Sequence, residues 1–359
     1  MRHRDVALRR LRAHRLAGPP LSRAVDVVGW LGAVQAQELP VARWSLAQRA
    51  RGVTNATVER DLAAGRILRT HVLRPTWHFV LPADIRWMVE LTAPRITAKM
   101  AYYDRELELT EALYARCDRL IAKALSDGRH RTRRELGGVL HSGGVAVSPR
   151  RLGHIMLRAE LDLVVCSGVP AGKQQTYALV EQRAPRSRPR PRDEALGDLA
   201  RRYFASHGPA TLKDYMWWSS LTASDAKRGI EIAGSRLCRE VVAHRSYWFS
   251  GSASPRRRAM PQALVLQGYD EYIVGYTESK DALNLAGIAG AAALGRLPML
   301  HAVVLDGQVV GHWRRMPGDP ATIDAVFART LKASEKRALA AEVARYGRFL
   351  GTKAALLNS

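Results

Sequence analysis

Cysteine is scarce in this chain. The 359 residues include only Cys117, Cys166 and Cys238, which lie far apart and show no Cys-x-x-Cys spacing. This usage argues against disulfides and against a cysteine-based zinc site, and it is typical of a protein in a reducing cytoplasm. We therefore expect a cytoplasmic protein without a structural metal.

Long apolar runs and the common catalytic signatures are also missing. No stretch of about 18 uncharged apolar residues occurs, so no membrane span is expected. The basic stretch 1–20 lacks the apolar centre of a signal peptide. The chain has no His-Glu-x-x-His, no P-loop, no Gly-x-Gly-x-x-Gly after a strand and no Gly-x-Ser-x-Gly turn. We expect neither a catalytic metal nor a cofactor.

Acidic residues are too few to balance the basic ones. The chain has 56 Lys and Arg against 33 Asp and Glu, a net charge of +23. A surplus of this size favours a polyanionic partner, and arginine suits bidentate contacts with phosphate. Coding bias can explain the excess of arginine over lysine but not the surplus over acids. We expect a nucleic acid as the partner, with an anionic membrane surface as the lesser alternative.

Helical and strand patterns predict a recurring unit. In 22–82, three helical stretches precede two strands that meet at a turn, which is the outline of a winged helix-turn-helix. The same order recurs in 109–180 and in 195–250. Helix-start signals punctuate these units at Thr54 or Asn55, Thr132, Ser148 with Pro149, Thr211 and Thr222.

Two connecting stretches interrupt this pattern. Asp84 should cap a long helix that Pro94 either kinks or restarts. Stretch 182–194 has three prolines and five arginines. We predict an extended basic linker there, either merely solvated or following a phosphate backbone.

The last third of the chain is rich in strand patterns. Asp306-Gly307 predicts a type I′ turn between two valine-rich arms, and a final helix should begin at Ser334 and end at Gly351. We predict a helix-rich α+β fold with three tandem winged helices and a small C-terminal β-barrel or half-barrel. The predicted boundaries are 1–108, 109–181, 182–194 as the linker, 195–250 and 251–359.

Gln35 and Gln37 are the most suggestive polar pair. A glutamine does not titrate, but its amide both donates and accepts hydrogen bonds and can hold a water. Residues at i and i+2 do not share a helix face, so the two amides converge only if the helix ends there or the chain is strand-like. Two glutamines at a solvated helix end are the plainer interpretation.

Three stretches together resemble one bacterial family. They are Gln35-Ala36-Gln37, the block THVLRPTWHFVLPADIRWM at 70–88, and YDEYIVGY followed by the hairpin VVLDGQVVGHWRR. Their order resembles that of the AlkZ/YcaQ-like DNA glycosylases over nearly the whole chain. The resemblance implies three winged helices and a β-barrel in a C-shape around a basic DNA channel. It also implies monofunctional excision of alkylated purines and, in some members, of interstrand crosslinks.

The resemblance further implies where the chemistry lies. Gln35 and Gln37 match the Gln-x-Gln motif of the AlkZ-like branch. The YcaQ-like branch has Gln-x-Asp, with an aspartate in place of the second glutamine. A purine alkylated at N7 or N3 is already cationic and leaves without a general acid. Two amides could then orient water and stabilise an oxocarbenium-like sugar. We expect Gln37 to position the water and Gln35 to hold Gln37 or the sugar–phosphate.

Several basic residues are candidates for DNA contact, although a solvated surface charge explains each equally well. These candidates are Arg69, His71, Arg74, Arg150, Arg151, Arg256, Arg257 and Arg258. His71 and His78 could line the site or be ordinary core and strand-face histidines. We expect Asp270 to make buried structural hydrogen bonds.

The alternative to an enzyme is a non-catalytic winged-helix DNA-binding protein such as a regulator. It explains the charge and the helical units equally well, but it does not explain three such units with a barrel. An RNA-binding accessory protein is a third interpretation. The expected partner is double-stranded DNA with alkylated bases, bound by a monomer.

Overall fold

The structure is a computed structural model that describes residues 3–172, 174–186, 188–251, 262–284 and 301–357. Helices and strands are mixed, with 50% of the fold helical. Within these residues no helix has the length and apolar character needed to cross a membrane.

The first unit contains three helices and a hairpin after an N-terminal helix. Its elements are α1 (His3–Ala13), α2 (Ala24–Leu31), β1 (Val34–Gln35), α3 (Leu39–Ala47), α4 (Asn55–Ala63), β2 (Leu68–Val72) and β3 (Arg74–Val80). The Thr54 hydroxyl caps α4 by accepting from the Thr57 N–H. The sheet order is β1-β3-β2, and all five residues of β2 are buried. This hairpin therefore belongs to the interior of the molecule.

Helix α5 (Ile85–Glu106) continues through Pro94 without restarting. Pro94 and Glu90, whose carbonyl loses its helical partner, lie on the exposed face, where water can replace the missing hydrogen bond. Asp84 precedes the helix, but its carboxylate accepts from Trp87 and Arg202 instead of capping a backbone N–H.

The second unit repeats the order of elements and has a core of its own. It comprises α6 (Glu111–Leu125), β4 (Arg131–Thr132), α7 (Arg133–Ser142), α8 (Pro149–Leu161), β5 (Val165–Ser167) and β6 (Thr176–Leu179). Thr132 and Glu135 form a capping box on α7, and Ser148 caps α8, as predicted. Tyr114, Ile121 and Leu140 are among the buried residues of its core.

The predicted linker is shorter than expected. Helix α9 (Val180–Arg183) takes in its first two residues, and α10 (Arg192–Ser206) begins with its last three. Of its arginines, Arg183 donates to carbonyls of α4, and Arg190 pairs with Asp198. Pairing with neighbouring helices fixes part of a stretch whose composition suggested only an extended chain.

The third unit consists of α10, α11 (Leu212–Ser219), α12 (Ala223–Ala233), β7 (Cys238–Val242) and β8 (Arg245–Phe249). Thr211 and Asp214 form a capping box, and Thr222 caps α12. A series of three helices followed by a hairpin thus occurs three times.

The C-terminal part is a five-stranded sheet that curls into a half-barrel. It contains β9 (Ala263–Leu266), α13 (Glu271–Val274), β10 (His301–Leu305), β11 (Gln308–Met316), β12 (Asp319–Phe327), α14 (Ala333–Leu350) and β13 (Ala355–Leu357). The strand order is β13-β12-β11-β10-β9. The half-barrel shares a core with the first unit, where the Trp44 ring packs 5.2 Å from the Tyr346 ring.

The turn and the final helix test two local predictions. Asp306 and Gly307 have φ of 48° and 82°, as the predicted type I′ turn requires. The prediction that α14 begins at Ser334 was wrong, because Lys332 is the N-cap. Its N–H donates to the Glu335 carboxylate, which satisfies the helix end two residues earlier. Gly351 ends the helix with φ of 76°, as predicted.

Candidate active site

The Gln-Ala-Gln segment begins in strand β1 and leaves it in a bend at Gln37. After α2, Gly32 turns the chain with φ of 81°, and Gln35 then pairs with His78 of β3 in antiparallel register. The Ala36 N–H continues the ladder by donating to the Trp77 carbonyl at 2.7 Å. Side chains at i and i+2 of an extended chain point to one face. β1 ends at Gln35 and Gln37 lies in the bend that follows, so this backbone is not helical and leaves room for the two side chains to converge.

The two side-chain amides differ in exposure, and that of Gln35 accepts a hydrogen bond from the backbone of Gln37. Gln35 is 2% exposed, whereas Gln37 is partly exposed. The Gln37 N–H donates to the Gln35 Oε1 at 3.1 Å, and the Trp77 N–H approaches the Gln37 Oε1 at 3.4 Å. Gln35 thus orients the backbone that carries Gln37, and Gln37 has the more accessible side chain.

Arg69 of β2 fixes the segment from the far side of β3. Its Nε donates to the Ala36 carbonyl at 2.9 Å and its Nη2 to the Gln37 carbonyl at 3.3 Å. The guanidinium lies 4.4 Å from the centre of the Trp77 ring. Burial lowers the pKa of Arg69 to about 10, so the residue remains cationic near neutral pH. Its hydrogen bonds serve the Gln-Ala-Gln backbone, and its predicted contact with DNA stays a prediction.

Arg74 and His78 form a buried pair next to Gln35. The Arg74 Nη2 approaches the His78 Nε2 at 3.4 Å, and its Nη1 donates to the Val274 carbonyl at 3.1 Å. Burial and the charge of Arg74 lower the pKa of His78 to about 3. His78 is therefore a neutral imidazole at neutral pH. Arg74 is 9% exposed, and its predicted role in DNA binding is untested.

Glu271 of α13 lies behind β1. The sequence analysis did not predict a role for it. Its Oε1 accepts from the Gln35 N–H at 2.7 Å, and its Oε2 accepts from the Trp218 Nε1 at 2.8 Å and lies 3.3 Å from the His207 Nε2. Burial opposes ionisation, but the hydrogen bond from His207 and the charge of Arg74 prevail and lower the pKa of Glu271 to about 2. A fully buried carboxylate thus supports the backbone of Gln35.

The third unit supplies two adjacent tryptophans to this region. Trp218 is buried against Glu271. Trp217 is 51% exposed and donates to the same Val274 carbonyl that Arg74 uses, at 2.9 Å. An exposed indole ring therefore lies close to the buried charges of the site.

His71 is joined to the second unit by an acidic residue. The Glu160 Oε2 lies 2.6 Å from the His71 Nδ1 and also accepts from the His71 N–H at 2.7 Å. The Trp77 Nε1 donates to the other Glu160 oxygen at 3.2 Å. Glu160, also missed from the sequence, thus holds the first hairpin against α8.

The other predicted DNA contacts have different surroundings. Arg150 is exposed at the start of α8 and pairs with Glu106 at 2.5 Å. Arg151 donates to the Leu107 carbonyl at 2.7 Å. Arg256, Arg257 and Arg258 lie outside the described residues. The geometry leaves the DNA-binding roles of all these arginines as predictions.

Asp270 has the structural surroundings that we expected. Its carboxylate forms a fully buried ion pair with Arg49 at 2.6 Å and accepts from the Ser45 hydroxyl at 2.6 Å. These two contacts join α3 and the turn that follows it to the N-cap of α13. The sequence block around 270 thus anchors the C-terminal part to the first unit. This contact also places Glu271 within hydrogen-bond distance of the Gln35 N–H.

Comparison with known proteins identifies the family. The model of the family described as DNA glycosylase AlkZ-like matches residues 28–349. The chain belongs to the AlkZ-like DNA glycosylases. These enzymes are hydrolases that act on N-glycosyl bonds. Membership decides against the non-catalytic regulator as the interpretation of this AlkZ-like chain.

A protein sequence and a solved structure from Streptomyces sahachiroi are similar to this AlkZ-like chain over most of its length. The protein named interstrand DNA cross-link repair glycosylase is 27% identical over 351 residues, which cover 90% of this chain and 90% of that protein. The solved structure of DNA glycosylase AlkZ is similar with a TM-score of 0.79 at 23% identity, and 99% of each chain is covered. The second comparison confirms the mixed helix and sheet fold over the whole length.

Proposed function

We propose that the protein hydrolyses the N-glycosidic bond of purines alkylated at N7 or N3 in double-stranded DNA, including bulky and crosslinked adducts. Alkylation at these positions gives the base a positive charge, so the base leaves without being protonated. The enzyme then has to stabilise the oxocarbenium-like sugar and deliver water to C1′. Two neutral amides suit this task because neither competes for a proton.

The observation that carries the proposal is the segment in which Gln35 ends β1 and its side chain accepts a hydrogen bond from the N–H of Gln37. Gln37, with the more accessible amide, orients the attacking water, and Gln35 holds Gln37 through the hydrogen bond to its N–H. Each amide oxygen has a second lone pair available for a water. The Glu271 carboxylate and the Arg69 guanidinium fix the backbone on which both side chains stand.

Binding of DNA is assigned to the three repeated units. Their series of three helices and a hairpin suits three winged-helix motifs around a basic channel, in keeping with the net charge of +23. Arg150 and Arg151 begin α8, where a helix N-terminus favours phosphate. The exposed ring of Trp217 provides a stacking surface beside the site.

The experiment is excision from a duplex that contains a single N7-methylguanine. The abasic product is converted to a strand break by mild alkali and quantified under single-turnover conditions. We expect Gln37→Ala to reduce the rate by about 100-fold or more, the scale seen when a preorganised polar group is removed from an active site.

The matched control is Gln182→Ala, which removes an exposed glutamine of α9. It should retain the parent rate, and both variants should melt at the parent temperature. Release of alkylated base by folded Gln37→Ala at the parent rate would refute the assignment of Gln37. Absence of cleavage by the parent, with retention of undamaged DNA, would refute the proposed substrate.

A further inference from the structure

A groove of about 850 Å³ opens between the first hairpin and the second unit. Its floor is mainly apolar and is formed by Trp77, Val147, Pro149, Leu152 and Tyr177. Sites that hold small organic ligands commonly measure 300–1,000 Å³ and have such linings. The groove therefore has the size and the lining for a large, mainly apolar group.

Trp77 joins this groove directly to the candidate active site. Its backbone N–H approaches the Gln37 Oε1 at 3.4 Å, and its carbonyl accepts from the Ala36 N–H. Its indole N–H donates to the Glu160 carboxylate, and the Arg69 guanidinium packs against its ring. A held aromatic ring therefore forms the end of the groove nearest Gln37.

The rim of the groove is polar and positively charged. Arg134 is exposed there, and Arg133 donates to the Pro149 carbonyl. The Gln175 Nε2 is buried without a hydrogen-bond partner among the residues that the structure describes. This rim suits a group attached to a polyanion and disfavours a cationic substituent.

We propose that the groove receives the bulky substituent of the alkylated purine while the glycosidic bond lies at Gln35 and Gln37. This inference rests on the proposed function and deepens it. A methyl group needs no such space, whereas an aromatic substituent extending from the base past Trp77 would pack on the apolar floor of the groove and be removed from water. The substrate class is thus a purine with a large, neutral, mainly apolar substituent.

Substitution of Gly138 by a larger residue would fill part of the groove. This glycine lines the groove within α7, and a Cβ built on it would meet no atom within 4 Å. Gly138→Leu should therefore fold without a clash, since leucine favours a helix more than glycine does. Gly138→Ala provides a smaller step, and Ala344→Leu adds a leucine at an exposed position of α14 that is not part of the groove lining.

The experiment compares single-turnover excision of N7-methylguanine and of N7-benzylguanine from the same duplex. We expect Gly138→Leu to slow removal of the benzylated base by about 10-fold or more, while removal of the methylated base stays within about twofold of the parent rate. Gly138→Ala should fall between parent and Gly138→Leu, and Ala344→Leu should match the parent on both substrates.

Equal slowing of both substrates, or no change with either, would overturn the inference. So would a parent enzyme that excises the methylated base but not the benzylated one, and that result would leave the proposed glycosylase function standing. A parent that excises neither base would refute the proposed function together with this inference. Melting temperatures at or above that of the parent would show that the variants are folded.

Discussion

The hairpins of the first and third units occupy the same place in their units but have opposite surroundings. Every residue of β2 is buried, whereas only Val242 is buried in β7. Glu160, Glu271 and Arg69 provide the first hairpin and its neighbouring strand with charged partners. The third hairpin presents Arg239 and His244 to solvent. The hairpin of the first unit thus supports the candidate active site, whereas the hairpin of the third unit lies at the protein surface.

This difference shows that the basic residues of the repeated hairpins do not all have the same role. Arg69 and Arg74 have the residue type expected of a phosphate contact, but their guanidinium groups bind carbonyls inside the protein. Arg239 remains at the surface, where its guanidinium donates to the Ser246 hydroxyl. Burial, which the sequence pattern of a hairpin does not determine, separates the two cases.

Removal of the buried charge should produce the largest effect on the first hairpin. Glu271→Gln leaves Arg74 without its nearby anion and places an amide against the Trp218 and His207 donors. Leaving buried donors without an ionised acceptor typically costs about 1–3 kcal/mol, and more next to a charged group. We expect a loss of unfolding free energy of this size, measured by urea denaturation, and a lower excision rate.

Glu240→Gln on the third hairpin is the matched control. Glu240 is only half-buried, so we expect a change below about 1 kcal/mol. Comparable losses for the two variants would remove the proposed contrast between the hairpins.

The stabilisation from Glu271 should also depend on pH. Its pKa in the folded protein is about 2, below the ordinary value for glutamate, so the stabilisation is complete above about pH 4.5 and is lost as the pH falls through 2. We expect the stability difference between parent and Glu271→Gln to narrow over this interval, as followed by urea denaturation at successive pH values. A difference that stays constant down to pH 2 would show that Glu271 is not ionised in the folded protein.

Arg69→Lys distinguishes scaffolding from phosphate binding at one residue. Lysine retains the charge but cannot donate to the Ala36 and Gln37 carbonyls in the geometry of a guanidinium. If Arg69 positions the glutamines, the single-turnover rate should fall by about 10-fold or more while DNA affinity is unchanged. Lower affinity with an unchanged rate for bound substrate would instead assign Arg69 to the DNA backbone.

The smallest effect on stability is expected at the third hairpin. Arg239→Ala should change the unfolding free energy by no more than about 0.5 kcal/mol. If this hairpin contacts DNA, the slope of log affinity against log salt concentration should decrease in magnitude by about one. An unchanged slope in a fluorescence-anisotropy titration would place the hairpin away from DNA.

The local parts of the fold could be predicted because their causes are local. Thr132 and Thr211 begin helices through capping boxes, and Asp306-Gly307 forms its turn through backbone conformations that suit these residues. Pro94 shows the limit of this reasoning. Whether a proline interrupts a helix depends on whether solvent reaches the carbonyl it leaves unpaired, and that is decided by packing.

The candidate site was predictable only in part for a similar reason. Gln35 and Gln37 stood out through their spacing and through the family resemblance. Glu271 and Glu160 did not, because their significance comes from partners 236 and 89 positions away. Glu271 directly follows Asp270, for which the sequence predicted buried hydrogen bonds. The YDEY block was therefore the sequence feature that could have indicated Glu271. Periodicity alone could not reveal which of the two carboxylates would face Gln35.

The hydrogen bond between Gln35 and Glu271 also sets a condition on biosynthesis. The two residues are 236 positions apart, and ribosomes add about 5–20 residues per second. The Gln-Ala-Gln segment therefore leaves the ribosome roughly 10 to 50 seconds before its carboxylate partner exists. A nascent or prematurely ended chain that stops before residue 271 has its glutamines but lacks the anion that fixes them. Translation past residue 271 is thus a precondition for assembling the site.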